Sequence, residues 1–307
     1  MASKCKTHIW ISLTSLLVIV LGLDACSGVV SQTPESGTPA STTISVVAAE
    51  NFYGNIVQQL GAGHVSVDSI LSDPNVDPHE YESNVQDSIA VSQAKLVIEN
   101  GADYDTWMDK LLAASPNPDR ITLVGAELAP HPLPDNPHVW YGIDNVQAIA
   151  KAITDALKKI DPADGAVFDS ALATFQQSLI PLQQKISEIK AKYAGTPVGL
   201  TETIFLYQSE PLGLNVLTPF DFEKAIAEGN DPPADSVVTA NDQITTHAVK
   251  VLIYNLQTVT PITTNLQSEA RQLNIPIVGV SETMPPGKTY QSWMLDQLNA
   301  LEQALGG

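Results

Sequence analysis

The chain has 307 residues, room for one to two globular domains, and 44% of them are hydrophobic, enough for sizeable cores. Fifteen Lys and Arg stand against 34 Asp and Glu, a formal net charge of −19, which argues against a nucleic-acid surface and against attachment to anionic lipid through basic residues. The only cysteines are Cys5 and Cys26, so the chain beyond them has neither a disulfide framework nor a thiolate metal site. Any metal there must be held by His, Asp, Glu or backbone oxygen.

The N-terminus carries Lys4 and Lys6 ahead of an apolar run from Ile9 to Leu23, broken only by Ser12, Thr14, Ser15 and Gly22. At about 15 residues the run is short for a membrane span, which needs roughly 20, and it fits a secretory signal. A buried core helix with a chance cysteine is the alternative. The run ends in Leu23-Asp24-Ala25-Cys26, which resembles the bacterial lipobox, where the cysteine is lipidated and becomes the new N-terminus. Asp24 departs from that pattern, whose corresponding position is usually small and uncharged. Residues 1–25 are then a signal peptide and Cys26 the lipid anchor. Ser, Thr, Gly and Pro make up 12 of the 17 residues from Ser27 to Thr43, so residues 26–43 form a lipidated cysteine and flexible tether. An anchor and a tether imply a globular domain working at the outer face of a membrane.

The rest alternates strands with helices. Strands are predicted at Ile44–Glu50, Val65–Leu71, Lys95–Glu99 and Ile121–Val124, and helices from Asn51 (as cap) to about Leu60, then Val85–Gln93, Tyr104–Ala114 and Val146–Ile160. After residue 194 come strands at Pro197–Thr201, Asn215–Thr218, Lys250–Asn255 and Pro276–Ser281. Helices are predicted there at Phe222–Ala227, Pro261–Leu273 and Tyr290–Leu305. Such alternation implies an α/β fold with parallel sheets. Between the two sets, Phe168, Leu172, Phe175, Leu179, Leu182, Ile186, Ile189 and Tyr193 recur at helical spacing, with Pro181 placed to kink or split the stripe. The reading is therefore an N-terminal α/β lobe over 44–160, a linking helix over 161–194 and a C-terminal α/β lobe over 195–307.

Ligands of parallel sheets bind beyond the carboxyl ends of the strands. The metal-capable side chains just past predicted strands are His79 in Asp77-Pro-His-Glu-Tyr81, His138 in Asn136-Pro-His-Val-Trp140, Glu202 and Glu282. Each half of the chain supplies two. Taken singly each has an ordinary alternative: a histidine in a proline turn is commonly a surface residue, and a glutamate after a strand commonly sits at a helix N-terminus, where the dipole favours it. Other histidines are less suggestive. His64 follows a glycine turn, His131 lies between two prolines with solvent as its expected environment, and His247 falls on a predicted helix. Glu80 and Glu82 are expected to face solvent.

The order lipobox, tether, D-P-H-E-Y, E-N-G-A-D-Y-D-T-W, N-P-H-V-W, long helix, T-E-T-I-F-L-Y and V-G-V-S-E-T resembles the zinc/manganese solute-binding lipoproteins of bacterial metal-uptake ABC transporters, over essentially residues 1–307. The resemblance implies two lobes bridged by a rigid backbone helix, with a metal in the cleft between them. The family's two histidine ligands fall on His79 and His138. Its third ligand, His in zinc-type and often Glu in manganese-type members, falls on Glu202. Its fourth is usually Asp, where this chain has Glu282, and the second histidine motif usually has Asp where Asn136 stands. Trp107 is expected to pack in the core. Zinc-specific members often carry a histidine-rich loop between the first two ligands, where this chain has only His131.

Two imidazoles and two carboxylates would balance a divalent cation to zero net charge. Carboxylates binding through two oxygens each would give six ligands and suit Mn²⁺; one oxygen each would give a tetrahedral site suited to Zn²⁺. Protonation of imidazole should weaken binding below about pH 6.5. The expected function is a lipid-anchored extracytoplasmic receptor, not an enzyme, that captures Mn²⁺ or Zn²⁺ by modest lobe closure. It would deliver the ion to an ABC permease and, through it, its ATPase, as a monomer held to the membrane by its N-terminal lipid. The alternatives are a secreted metalloenzyme, which a hydrolase assay would reveal, and a receptor for a metal chelate or organic ligand in the same cleft.

Overall fold

The computed structural model describes residues 43–76 and 78–306. The predicted signal peptide, Cys26 and nearly all of the tether lie outside the described residues, as do Asp77 and the side chain of Glu80.

The first lobe runs β1 (Ile44–Glu50), α1 (Asn51–Gly61), β2 (Val65–Leu71), α2 (Val85–Gln93), β3 (Leu96–Glu99), α3 (Thr106–Ala114), β4 (Ile121–Val124), α4 (Gly125–Leu128) and α5 (Ile143–Ile160). The linker follows as α6 (Gly165–Ser178) and α7 (Ile180–Tyr193). The second lobe runs β5 (Pro197–Leu200), α8 (Leu206–Leu212), β6 (Asn215–Val216), α9 (Phe220–Ala227), α10 (Ala234–Thr245), β7 (Val251–Asn255), α11 (Pro261–Gln272), β8 (Ile277–Val280) and α12 (Tyr290–Gly306).

Each lobe holds one four-stranded parallel sheet, ordered β2-β1-β3-β4 and β6-β5-β7-β8. The order reverses beside β1 in the first sheet and beside β5 in the second, and a crevice opens past the strand ends at such reversals. β1 is central and buried along almost its whole length, while the edge strand β2 alternates half-buried Val65 and Val67 with exposed Ser66 and Asp68. Helix starts follow local chemistry: Asn84 and Asp87 form a capping box on α2, and Thr260 and Thr263 form one on α11 behind Pro261.

Three sequence expectations need correction. Asn51 is the first helical residue of α1 and not its cap; its amide instead exchanges two hydrogen bonds with the Met284 backbone in the second lobe (2.7 and 2.9 Å). His247 lies beyond the end of α10 at φ 56°, not on the helix. Helices α4 and α8 fall where no helix was predicted. The linking stripe is a bent helix. It breaks at Leu179, with Pro181 in the first turn of α7, where a missing N–H does least harm.

The main apolar core is continuous through both lobes and the linker. Phe52 and Tyr141 of the first lobe both meet Trp293 of α12 in the second, with ring centroids 6.1 Å apart in each case. Separating the lobes would wet these rings, so the shared core opposes a wide hinge motion. Two smaller cores lie on the outer faces of the sheets. Polar clamps hold the linker: His64 Nδ1 meets Asp164 (2.7 Å) at the head of α6, and Lys185 and Lys192 of α7 grip Glu302 of α12 (2.9 and 2.6 Å).

Candidate metal centre

His79 is carried on a single 3₁₀ turn, Pro78–Glu80, past β2. Trp107 is buried in an outer core, as expected of a packing residue, and its indole N–H also donates to the Pro78 carbonyl (3.2 Å), which steadies the residue before His79. His138 directly precedes the 3₁₀ turn Val139–Tyr141, Glu202 caps the 3₁₀ turn Thr203–Phe205 after β5, and Glu282 follows β8.

The fold brings one ligand atom each from His79, His138 and Glu282 within 4.8 Å of one another. Glu202 is not part of that group, but it is close enough for the Glu282 charge to act on it. His79 is exposed, whereas His138, Glu202 and Glu282 are 0%, 2% and 1% exposed. Two of these buried side chains have an atom without a hydrogen-bond partner, His138 Nε2 and Glu202 Oε1. Buried polar atoms are almost always satisfied, so two orphans at one place point to a ligand. Glu202 serves as a cap: Oε2 accepts from the Ile204 N–H (2.9 Å), which leaves Oε1 without a partner.

Glu282 is held from both lobes. Tyr104 O–H donates to its Oε2 (2.8 Å), and the Asn255 amide donates to its Oε1. Gln257 accepts from the backbone N–H groups of Glu282 (2.7 Å) and Thr283 (3.1 Å) and donates to the Val76 carbonyl across the lobes (2.9 Å). The longer side chain at 282 therefore reaches the histidines with its carboxylate already oriented.

Tyr104 is delivered by an unusual turn. Gly101, Ala102 and Asp103 all have positive φ (73°, 53° and 61°), and Asp105 pins the turn by accepting from the N–H groups of Asn100 (2.6 Å) and Gly101 (2.8 Å). Left-handed conformations at residues other than glycine carry strain of about 1–3 kcal/mol each and persist where the surroundings over-determine them. The Tyr104 ring then packs edge-on to His79 (4.8 Å) and His138 (5.9 Å).

Burial, and then the neighbouring His79, hold His138 well below the ordinary histidine range. Burial, and then the Glu282 charge, push the Glu202 carboxyl well above the usual carboxylate range. Without a cation these surroundings therefore favour the neutral imidazole at His138 and the protonated carboxyl at Glu202. Glu223 of α9, buried behind Glu202, is raised in the same way by burial and then by Glu202.

The sequence profile of zinc-uptake complex component A, a periplasmic protein family, matches residues 46–304. The chain belongs to that family. Among relatives of this family member, the metal ABC transporter substrate-binding lipoprotein ScbA of Streptococcus cristatus is 26% identical over 95% of this chain and 97% of its own. The manganese ABC transporter substrate-binding lipoprotein PsaA of Streptococcus pneumoniae is 27% identical over 66% of this chain and 68% of its own. The periplasmic zinc-binding protein TroA of Treponema pallidum superposes with a TM-score of 0.72 at 19% identity, covering 85% of this chain and 98% of that one. At that identity the likeness speaks to the fold alone: two lobes with parallel sheets and a bent linking helix.

Residue-by-residue reading passed over Tyr104, Asn255 and Gln257, because only metal-capable side chains were sought past strand ends. The signal was present: Tyr104 stands inside E-N-G-A-D-Y and Asn255 closes β7.

Proposed function

We propose that the protein is the extracytoplasmic receptor of a metal-uptake ABC transporter and captures Mn²⁺ or Zn²⁺ with His79, His138, Glu202 and Glu282. The observation that carries this reading is the convergence of the His79, His138 and Glu282 ligand atoms beside two buried, unpartnered atoms, His138 Nε2 and Glu202 Oε1. Two neutral imidazoles and two carboxylates neutralise a dication in a site where an unpaired charge would be expensive. Three of the four side chains are almost fully buried. A tetrahedral ion held by all four side chains would leave no open position for a substrate, which favours a receptor over a catalytic centre. Glu202 offers Oε1 as its open oxygen.

The relatives named as lipoproteins of metal ABC transporters support delivery to a permease and its ATPase, and attachment through Cys26. Action as a monomer is part of the same proposal. Among the described residues no helix is long and apolar enough to cross a membrane.

The test is competition between Mn²⁺ and Zn²⁺ on the chelator-stripped protein, followed by bound metal and thermal shift. The reading expects one ion per chain. A ligand a thousandfold above its dissociation constant should add about 4 kcal/mol of stability, lost in His138→Ala and Glu202→Ala. No stoichiometric binding of either ion would overturn it.

A further inference from the structure

We propose that Asn136 is a positioning residue that presets which nitrogen of His138 carries the proton and ties that choice to the loop bearing Glu202. The inference rests on the metal-receptor reading, but its first consequence belongs to the metal-free protein.

His138 Nδ1 lies 2.9 Å from Asn136 Oδ1. Which end of the Asn136 amide is oxygen is settled by two further contacts. Oδ1 also accepts from the backbone N–H of His138 (3.1 Å), and Nδ2 donates to the Thr203 carbonyl (2.9 Å). Turning the amide over would set N–H against N–H and oxygen against oxygen, so both contacts require the same orientation. The atom facing Nδ1 is therefore an acceptor, and Nδ1 must be the protonated nitrogen. A neutral imidazole has one N–H, so the lone pair falls on Nε2, the buried nitrogen with no partner. Histidine in water prefers the opposite tautomer, with the proton on Nε2, which would block coordination through that atom.

Asn136 also joins the lobes. Its Nδ2 reaches Thr203, the neighbour of Glu202, and its own carbonyl accepts from Tyr207 O–H of α8 (3.2 Å). An aspartate at 136 could accept from Nδ1 but could not donate to the Thr203 carbonyl. Asparagine does both, so presentation of the Nε2 lone pair and seating of the Glu202 loop depend on one side chain. Partners of this kind around metal ligands commonly affect metal affinity about 10–100-fold.

The experiment is a long-range ¹H–¹⁵N correlation spectrum of the full, metal-free protein labelled in histidine, with the His138 ring signals assigned by their loss in His138→Gln. The wild type should show the Nδ1–H tautomer, Asn136→Asp should retain it, and Asn136→Ala should move toward Nε2–H and lose about 10–100-fold in Zn²⁺ affinity. A wild-type ring protonated on Nε2, or an Asn136→Ala ring that keeps Nδ1–H, would overturn the inference. Where Asn136→Ala fails to fold, the wild-type spectrum decides. A Zn²⁺ titration of the wild type separates the two ideas: one-to-one binding by an Nε2–H ring removes this inference alone, whereas an Nδ1–H ring that binds no metal removes the receptor reading.

Discussion

Capture of a dication should expel about one proton at neutral pH, and the proton should come from Glu202. In the metal-free protein Glu202 is buried, and burial followed by the Glu282 charge keeps its carboxyl protonated well above the usual carboxylate range. His138 has no second ring proton to give up, because burial and then His79 favour its neutral form. An arriving ion must therefore exchange with the Glu202 proton, and one exchanged proton changes the apparent affinity about tenfold per pH unit, or about 100-fold between pH 6 and 8. Titration calorimetry with Zn²⁺ in two buffers of contrasting ionisation enthalpy counts the protons directly. In Glu202→Gln the release should fall close to zero and the slope should flatten. Wild-type binding without proton release, or equal release from Glu202→Gln, would refute the reasoning. The expectation differs from the one drawn from sequence, in which imidazole protonation weakens binding below about pH 6.5. Burial of His138 removes that ring from the competition.

The metal-free protein should lose stability as pH rises from mildly acidic values. Glu50, Glu202 and Glu223 have folded-state pKa values raised chiefly by burial, and Glu99 is pushed up to about 8. Above the unfolded glutamate value of about 4.3 the folded state thus binds more protons, and its advantage fades as pH climbs through the raised values. Calorimetric Tm should fall from pH 5 to 8, with a smaller fall at saturating metal; a rise without metal would contradict the assignment. Glu282→Asp, which draws the carboxylate back by about 1.5 Å, should break the 2.8 Å Tyr104 contact and weaken metal binding at least about tenfold by titration; unchanged affinity would mean that Tyr104 does not hold the ligand. Trp140→Ala should destabilise by about 3–5 kcal/mol in urea unfolding, because that fully buried ring packs on Phe52 and Tyr104 in the main core; a loss below about 1 kcal/mol would argue against that packing.

Much of the architecture was legible along the chain. Hydrophobic runs and turn residues marked the eight strands of the described residues, and the apolar stripe with Pro181 marked the bent linker, because these are local consequences of period and backbone chemistry. The rule that ligands sit past strand ends picked out His79, His138 and Glu282, whose ligand atoms the fold draws together. Local sequence could not decide which polar neighbours hold them. Tyr104 meets Glu282 across 178 positions, Asn51 meets Met284 across 233, and Asn136 meets Thr203 across 67. Nor could it decide protonation, since His138 and Glu202 depart from ordinary values through burial, a property of the packed chain. The sequence by itself determined the elements and the chemical types of the candidate ligands, through short-range periodicity and strand-end placement. Only the tertiary structure decided the distances, hydrogen-bond partners and charge states, because each depends on which distant segments exclude water from the same point.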